Sequence, residues 1–288
     1  MKVSKRIWIR SMLCAAAVAA VSGTALAQGQ PVKIGLLATL EGPFAAGGAD
    51  GMRGAELAIR ERGGVVAGRK IELIKAWVPL GGKDYASVIA RIPKDVDALV
   101  VILGGADAVN FLNQYEAAGG DKPMIGGSIT VAQDVLNYRG KRRESLVGTL
   151  SAGPIADSID TPEYKAFVAS YKKNFPDGYP SPGLFALMYY INMKAALDGL
   201  DAVKGDLSGG QAKYREALAK MTLKTPVGDV TLDGNRQGIG TTFITEVVKD
   251  AQGNLSNKVV RRIDNVNQML GQKAADFKIG SRDVPDCP

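Results

Sequence analysis

Apolar positions in the first half of the chain follow two alternating patterns. Four short, mainly apolar runs bounded by turn residues predict buried strands at 31–39, 69–80, 97–103 and 122–125. Three stretches with apolar residues at every third or fourth position predict helices at 50–62, 84–92 and 106–118. Regular alternation of strand and helix predicts an α/β fold with a doubly wound, parallel, Rossmann-like sheet.

The pattern changes in the second half of the chain. Helical spacing predicts an amphipathic helix at 161–174 and a further helix at 211–221. The stretch 184–203 is apolar almost all round, but Asn192 and Lys194 interrupt it, so it predicts a helix buried in protein and not in a membrane. From residue 227 onwards apolar and polar positions alternate between turn residues, which predicts a β-meander with turns at 233–234 and 252–254.

The first 27 residues have the three parts of an export signal. A basic head is followed by an apolar run at 12–21 and by the small-residue end Ala25-Leu26-Ala27. The run is shorter than the roughly 20 residues that span a bilayer. We therefore expect cleavage after Ala27 and a periplasmic protein; the alternative is an uncleaved N-terminal anchor.

Processing changes the charge of the chain. The whole chain has 36 Lys and Arg against 29 Asp and Glu. Four of the basic residues lie in the signal, which has no acidic residue, so the mature chain has 32 against 29, a net charge of +3. Most of the basic excess is therefore targeting charge, and we expect no nucleic-acid partner.

The residue types available for chemistry are few. The chain has no histidine, which excludes Ser-His-Asp and Cys-His catalysis and imidazole-ligated zinc. Its two cysteines are Cys14, in the signal, and Cys287, so the mature chain cannot close an internal disulfide. It lacks a G-x-G-x-x-G or Walker motif after the first strand, and residues 126–130 do not form a nucleophile elbow. We expect no enzyme, no cofactor and no metal site.

Eight short segments follow one another in a characteristic order. The opening segments are VKIGLL (32–37), GPFAAGG (42–48), GAELAIR (54–60) and GRKIEL (68–73). The later segments are DYASVIAR (84–91), DALVV (97–101), LNQYEAAG (112–119) and PMIGGS (123–128). In this order they resemble type I periplasmic solute-binding proteins of ABC transporters, in particular the leucine/isoleucine/valine-binding branch. The resemblance implies a clamshell that holds a small organic solute between two lobes and delivers it to membrane permease subunits.

The resemblance also implies a domain organisation with one large departure from the family. Residues 28–75 would begin lobe one, 76–155 would be a lobe-two-like α/β segment, 156–226 would return to lobe one, and 227–288 would form the meander and tail. Lobe one would be shortened, because the strand at 71–75 runs directly into 76–80, which resembles a lobe-two strand; compared with the family, about a hundred residues, the scale of a small domain, would be missing there. Two outcomes stay open: a hybrid single sheet with ordinary crossovers, or a misfolded remnant.

Site residues also follow from the resemblance. It implies that the solute is contacted by Phe44, Ala46, Gly47, Gly104, Gly105 and Ser128. Ser128 stands where amino-acid-binding members have an acid for the ligand ammonium, and Gly47 and Gly104-Gly105 stand where members often have aromatic residues. The serine/threonine clamp for the ligand carboxylate falls in the missing segment. These losses favour a larger, non-cationic ligand, such as an aromatic or branched carboxylate, over a simple amino acid.

Two features of the sequence have both a binding and a structural interpretation. The glycine-rich stretch 40–48 allows close approach of backbone to a ligand, but a plain tight connection has the same composition. Phe44, Trp77 and Tyr85 are able to stack on a ligand, but large aromatic side chains mostly pack in cores. Three functions remain: an exported solute-binding protein, an internally deleted paralogue without transport function, and an enzyme on the same fold.

Overall fold

The computed structural model describes residues 30–41, 45–79, 84–90, 92, 98–101, 103–137, 143–269, 271–273 and 275–277. The predicted signal at 1–27, Phe44 and Cys287 lie outside them. The helices are α1 (Ala45–Glu61), α2 (Ala86–Ile89), α3 (Gly105–Ala117), α4 (Gln133–Leu136), α5 (Pro162–Asn174), α6 (Leu184–Ala202) and α7 (Ser208–Lys220). The strands are β1 (Val32–Glu41), β2 (Val65–Val66), β3 (Arg69–Pro79), β4 (Leu99–Val101), β5 (Met124–Gly127), β6 (Leu150–Gly153), β7 (Leu223–Thr225), β8 (Gly228–Leu232), β9 (Gly238–Lys249) and β10 (Leu255–Val266).

The first of two sheets has the order β1-β3-β2 in the described part of the chain. β1 and β3 are parallel, with Val32 opposite Ile71, and β2 and β3 form an antiparallel hairpin. The hairpin turn needs positive φ at both central residues, and Ala67 and Gly68 have φ of 49° and 72°. Helix α1 covers this sheet and packs along α6.

The second sheet has the order β4-β5-β6-β9-β8-β7, with β10 also paired to β9. β4, β5 and β6 are parallel to one another, whereas β6 to β10 pair antiparallel. The parallel strands belong to the alternating part of the sequence and the antiparallel ones to the predicted meander. The result is a mixed sheet in an α/β fold.

The described residues form two hydrophobic cores, and the first of them also takes in residues from strands of the second sheet, such as Leu223 and Phe243. The first core surrounds α1, α5 and α6 and includes the fully buried Leu57, Tyr171 and Leu187. The second core surrounds α3 and α4 and includes the fully buried Leu112 and Val135.

Most predicted elements are present, and several have different ends. The strands and helices at 31–39, 69–80, 106–118, 161–174 and 184–203 are confirmed within a few residues. Thr161 caps α5 by accepting the Tyr164 N–H at 3.3 Å, and Pro162 follows at the first helical position. In α7, Gly209–Gln211 have left-handed angles, so the regular helix begins close to the predicted start.

Two expectations are wrong. The predicted loop at 40–48 is shorter, because β1 continues to Glu41 and α1 begins at Ala45, five residues before the predicted start. In the described part of the chain the strands form two sheets and not the hybrid single sheet, since β3 pairs with β1 as far as Glu41 opposite Pro79 while β4 pairs with β5 in the other sheet. Residues 76–79 therefore extend a strand of the first sheet.

The apolar helix at 184–203 packs within the protein, as expected. It is α6, and its Lys194 pairs with Asp198 one turn later at 2.5 Å. In the described part of the chain, no helix combines the length and the apolar character that a membrane crossing requires.

Candidate functional site

The parallel strands of the second sheet end at one common edge. Val101 at the end of β4 lies opposite Gly126, and Gly127 at the end of β5 lies opposite Ala152. Segments that follow such strands form the usual ligand crevice of open α/β sheets. Here those segments begin at residues 103, 128 and 154.

A small polar cavity lies at this edge, at the boundary of the two cores. Its lining comes from the segment after β5, from β6 and the segment after it, from the start of α6, and from β10: Ser128, Val131, Ala132, Gln133, Ser151, Ile155, Ala156, Asp157, Pro182, Gly183, Leu184 and Asn257. Its volume is about 10 Å³. That is room for about one water molecule.

Asp157 connects three parts of the cavity wall. Its Oδ2 accepts the side-chain N–H of Gln133 and the backbone N–H of Asn257, each at 2.8 Å. Burial raises the pKa of the Asp157 carboxyl, while these two N–H groups act in the opposite direction. The segment after β6 is thereby fixed to α4 on one side and to β10 on the other.

Asn257 leaves an acceptor without a partner. Its side-chain N–H donates to the Val131 carbonyl at 2.8 Å, which fixes the orientation of the amide. Its Oδ1 is buried and has no hydrogen-bond partner among the described residues, and only 7% of the residue is exposed. A buried acceptor without a partner costs about 1–3 kcal/mol, so this atom favours a ligand or water that donates a hydrogen bond.

Asp50 fixes the opposite wall. This residue of α1 is 1% exposed and accepts the Gly183 N–H at 2.8 Å and the Tyr171 hydroxyl. Arg53 lies one helical turn away, with its Nη1 3.8 Å from Oδ1. Burial raises the pKa of Asp50, and the Tyr171 hydroxyl, the Gly183 N–H and Arg53 lower it. Gly183 lines the cavity, so Asp50 positions its wall from behind.

A third carboxylate, Asp134, lies buried on α4. It is 4% exposed, and its Oδ2 has no hydrogen-bond partner within the described part of the chain. Burial, followed by the charge of Asp50, raises the pKa of Asp134 to about 6. The folded protein therefore holds a proton on Asp134 at pH values where the unfolded chain has lost it.

Because of this shift, we expect Asp134→Asn to increase the free energy of unfolding by an amount that depends on pH. The raised pKa stabilises the fold fully below pH 4, and that contribution is lost as pH rises through about 6. Two pKa units correspond to about 3 kcal/mol. We expect the variant to match the wild type at pH 4 and to exceed it by up to about 3 kcal/mol at pH 8 in urea unfolding. The exposed Asp177→Asn is the control; equal gains at both pH values would contradict the prediction.

Comparisons with known proteins fit this architecture. The sequence profile of the family described as "Periplasmic binding protein" matches residues 75–253, more than half of the chain. The chain belongs to the periplasmic binding protein family. Proteins of this family are periplasmic, and the family is one of binding proteins and not of enzymes. A comparison with curated proteins gives no match.

Solved structures of solute-binding proteins share the fold. An ABC transporter substrate-binding protein from Sphaerobacter thermophilus has a TM-score of 0.69 at 19% identity, covering 82% of this chain and 98% of its own. A solute-binding protein from Rhodopseudomonas palustris, in complex with 3,4-dihydroxybenzoic acid, has 0.71 at 19%, with the same coverage. A leucine-binding protein from Thermotoga maritima has 0.65 at 12%, covering 81% of this chain and 99% of its own. These similarities confirm the predicted type I periplasmic-binding-protein fold.

The residues predicted from the family resemblance lie in three places. Ser128 lines the cavity, and its side chain packs where Gly153 has no Cβ. Ala46 and Gly47 lie in the first turn of α1, where the Phe185 ring covers Gly47. Gly104 caps α3, and Gly105, with φ of 53°, is its first residue.

The structure brings only part of this set to the cavity. Of the predicted residues that are described, Ser128 lines it, and Gly47 approaches it through Phe185, next to the lining residue Leu184. Gly104 and Gly105 lie on the same sheet edge but do not line it. Their conformation gives a structural reason for glycine at 105, because a positive φ disfavours a side chain.

The three aromatic residues that could stack on a ligand have different outcomes. Tyr85 packs edge-to-face on Phe111, with ring centroids 6.0 Å apart, against the second core. The Trp77 side chain and Phe44 lie outside what the structure describes. For Tyr85, core packing is therefore the interpretation that the structure supports.

Sequence reasoning missed Gln133, Asp157 and Asn257. They come from three separate segments, and each is an ordinary polar residue in its own segment. The available signal was the position of residues 154–157 directly after the parallel strand at 150–153, but the hydrophobic pattern does not predict that short strand.

Proposed function

We propose that this chain is an exported solute-binding protein that carries a small organic solute to the permease subunits of an ABC transporter. The observation that supports it most is a polar cavity lined from both cores in a chain of the periplasmic binding protein family. Cleavage near Ala27 would release the mature protein into the periplasm.

In this proposal the two cores belong to two lobes. Residues 28–75, with 76–79 that extend β3, and residues 156–226 contribute the first lobe; the rest of 76–155 contributes most of the second, and 227–288 the meander and tail. The family profile begins its match at residue 75, near the end of β3, which supports a junction close to the end of that strand. Shortening of the first lobe stays a prediction, and the small first sheet supports it.

The solute would enter when the lobes separate. The cavity of about 10 Å³ holds about one water molecule, whereas pockets for small organic ligands are about 300–1,000 Å³. Opening about the segment after β6 would widen the cavity, and closure on the solute would present the closed form to the permease. Ser128, Gln133, Asp157 and Asn257 are the proposed contacts, and Ala46, Gly47, Gly104 and Gly105 support the surrounding wall.

A thermal-melt screen tests the proposal. The processed protein, purified after export, is melted with branched-chain amino acids, aromatic carboxylates, amides and aliphatic amines at millimolar concentration. A ligand present at 100 times its Kd adds about 2.7 kcal/mol, which raises Tm by about 5–10 °C in a chain of this size. We expect one ligand class to raise Tm; a cooperative melt that no class shifts would contradict the proposal.

The second candidate is an internally deleted paralogue without transport function. The small volume of the cavity is the observation that favours it. It predicts a cooperative melt that is independent of every ligand class, so the same screen distinguishes the two functions.

A further inference from the structure

Among the residues that the structure describes, the charged group in the cavity lining is acidic. Asp157 is the one ionisable residue of this described lining, which contains neither lysine nor arginine. Two more buried carboxylates, Asp50 and Asp134, lie on the helices behind it. The cation beside them, Arg53, is directed at Asp50, 3.8 Å from its Oδ1. The cavity is therefore an environment that favours a positive charge.

Two polar side chains of the cavity wall offer hydrogen-bond acceptors, and not donors, to a ligand. The Gln133 amide is used at both ends, since its N–H donates to Asp157 and its Oε1 accepts the Asn137 amide at 2.6 Å. Asn257 uses its N–H on Val131, and its Oδ1 has no partner among the residues that the structure describes. A carboxylate and a buried carbonyl oxygen both need donors, and neither offers a proton to a ligand anion.

The size of the cavity adds a third constraint. A volume of about 10 Å³ fits one water molecule. A primary ammonium group has similar dimensions and carries three donors. The cavity thus fits the head group of an amine, while the remainder of the molecule would extend into the cleft as the lobes open.

We propose that the solute carries a primary ammonium group, held between the carboxylate of Asp157 and the Oδ1 of Asn257. This inference rests on the proposed function and narrows its solute class. The acid that is absent at Ser128 is supplied 29 residues later in the chain, in the same cavity. An aromatic carboxylate such as the one in the Rhodopseudomonas palustris complex would face Asp157 without a cation among the lining residues.

Matched ligands test the inference without any variant. Calorimetric titration of the processed protein would use 3-methylbutylamine against 4-methylpentanoate, and benzylamine against benzoate, with L-leucine as the zwitterion. Within each pair the hydrocarbon is similar and the charge is reversed. We expect each amine to bind at least about ten-fold more tightly than its carboxylate, since one buried charge contact contributes 1.4 kcal/mol or more.

A variant then assigns the effect to Asp157. Asp157→Asn keeps the shape of the side chain and removes its charge, so we expect amine affinity to fall about ten-fold and the difference within each pair to shrink. Asp160→Asn is the matched control, because Asp160 lies three residues away, is exposed and pairs with Lys165 outside the cavity. Asp160→Asn should change neither the affinity for the amines nor the affinity for the carboxylates.

The outcomes separate this inference from the proposed function. Carboxylates that bind as tightly as the amines, or amine affinity unchanged in a folded Asp157→Asn, would overturn the ammonium site while leaving the solute-binding function intact. If no compound binds in the titrations or in the melt screen, both the ammonium site and the solute-binding function are overturned. Where Asp157→Asn folds poorly, the comparison between wild-type ligand pairs still decides the result.

Discussion

Replacing Gly54 by alanine is expected to destabilise the protein by about 3 kcal/mol or more. Gly54 lies where α1 crosses α6, and a Cβ there would stand 1.8 Å from the Ala186 carbonyl oxygen and 2.6 Å from its carbon. Because both are backbone atoms, no change of rotamer relieves the clash, and the two helices must separate. That separation outweighs the gain of about 1 kcal/mol from alanine in a helix. Urea unfolding measures the change.

Gly51→Ala is the matched control for this substitution. It lies one turn earlier on the same helix, and its added Cβ would meet the Tyr189 ring at 2.9 Å. A side chain can move where a backbone cannot, so the cost is expected to be clearly smaller. Equal stability of the two variants would contradict the view that the α1–α6 contact is made between backbones.

Replacing Asp50 by alanine is expected to cost about 3–5 kcal/mol. The change removes the acceptor for the Gly183 N–H and for the Tyr171 hydroxyl, both of which are buried. Each donor left without a partner costs about 1–3 kcal/mol. The free energy of unfolding in urea at pH 7 measures the loss, and Gly183 would lose its fixed place in the cavity wall.

Two further variants separate these contributions. Tyr171→Phe removes one donor and keeps the carboxylate with Gly183, so we expect a loss of about 1–2 kcal/mol. Asp50→Asn keeps the shape and one acceptor, and should fall between the other two. A loss from Asp50→Ala no larger than that from Tyr171→Phe would show that the Gly183 contact contributes little.

Much of the fold follows from local pattern in the sequence. The strand at 31–39, the helix at 161–174 and the turns at 233–234 and 252–254 were predictable because hydrophobic period and turn residues mark them directly. The start of α1 was not, because Ala45 to Gly48 are small residues that resemble a loop until Phe185 packs on them.

The separation of the sheets depends on pairing and not on local pattern. Residues 76–79 look the same whether they join β1 or β4, because a strand sequence does not specify its neighbour. Trp77 pairs with Ala38, which places residues 76–79 in the first sheet, and this pairing joins residues that are 39 positions apart.

The site was less predictable than the fold. Ser128 was found because the family resemblance marks its position after a strand. Asp157 and Asn257 meet only through a hydrogen bond between positions 100 residues apart, and no spacing within either segment indicates it. Long-range contacts between polar residues therefore set the character of the cavity beyond what periodicity reveals.

Hydrogen–deuterium exchange with and without the ligand that shifts the melt most is the most direct test that solute binds between the two lobes. We expect slower exchange on binding in two separate segments, 128–134 after β5 and 181–187 at the start of α6. Those segments belong to opposite sides of the cavity. Protection confined to one side, or to a surface far from both segments, would contradict a site between the lobes.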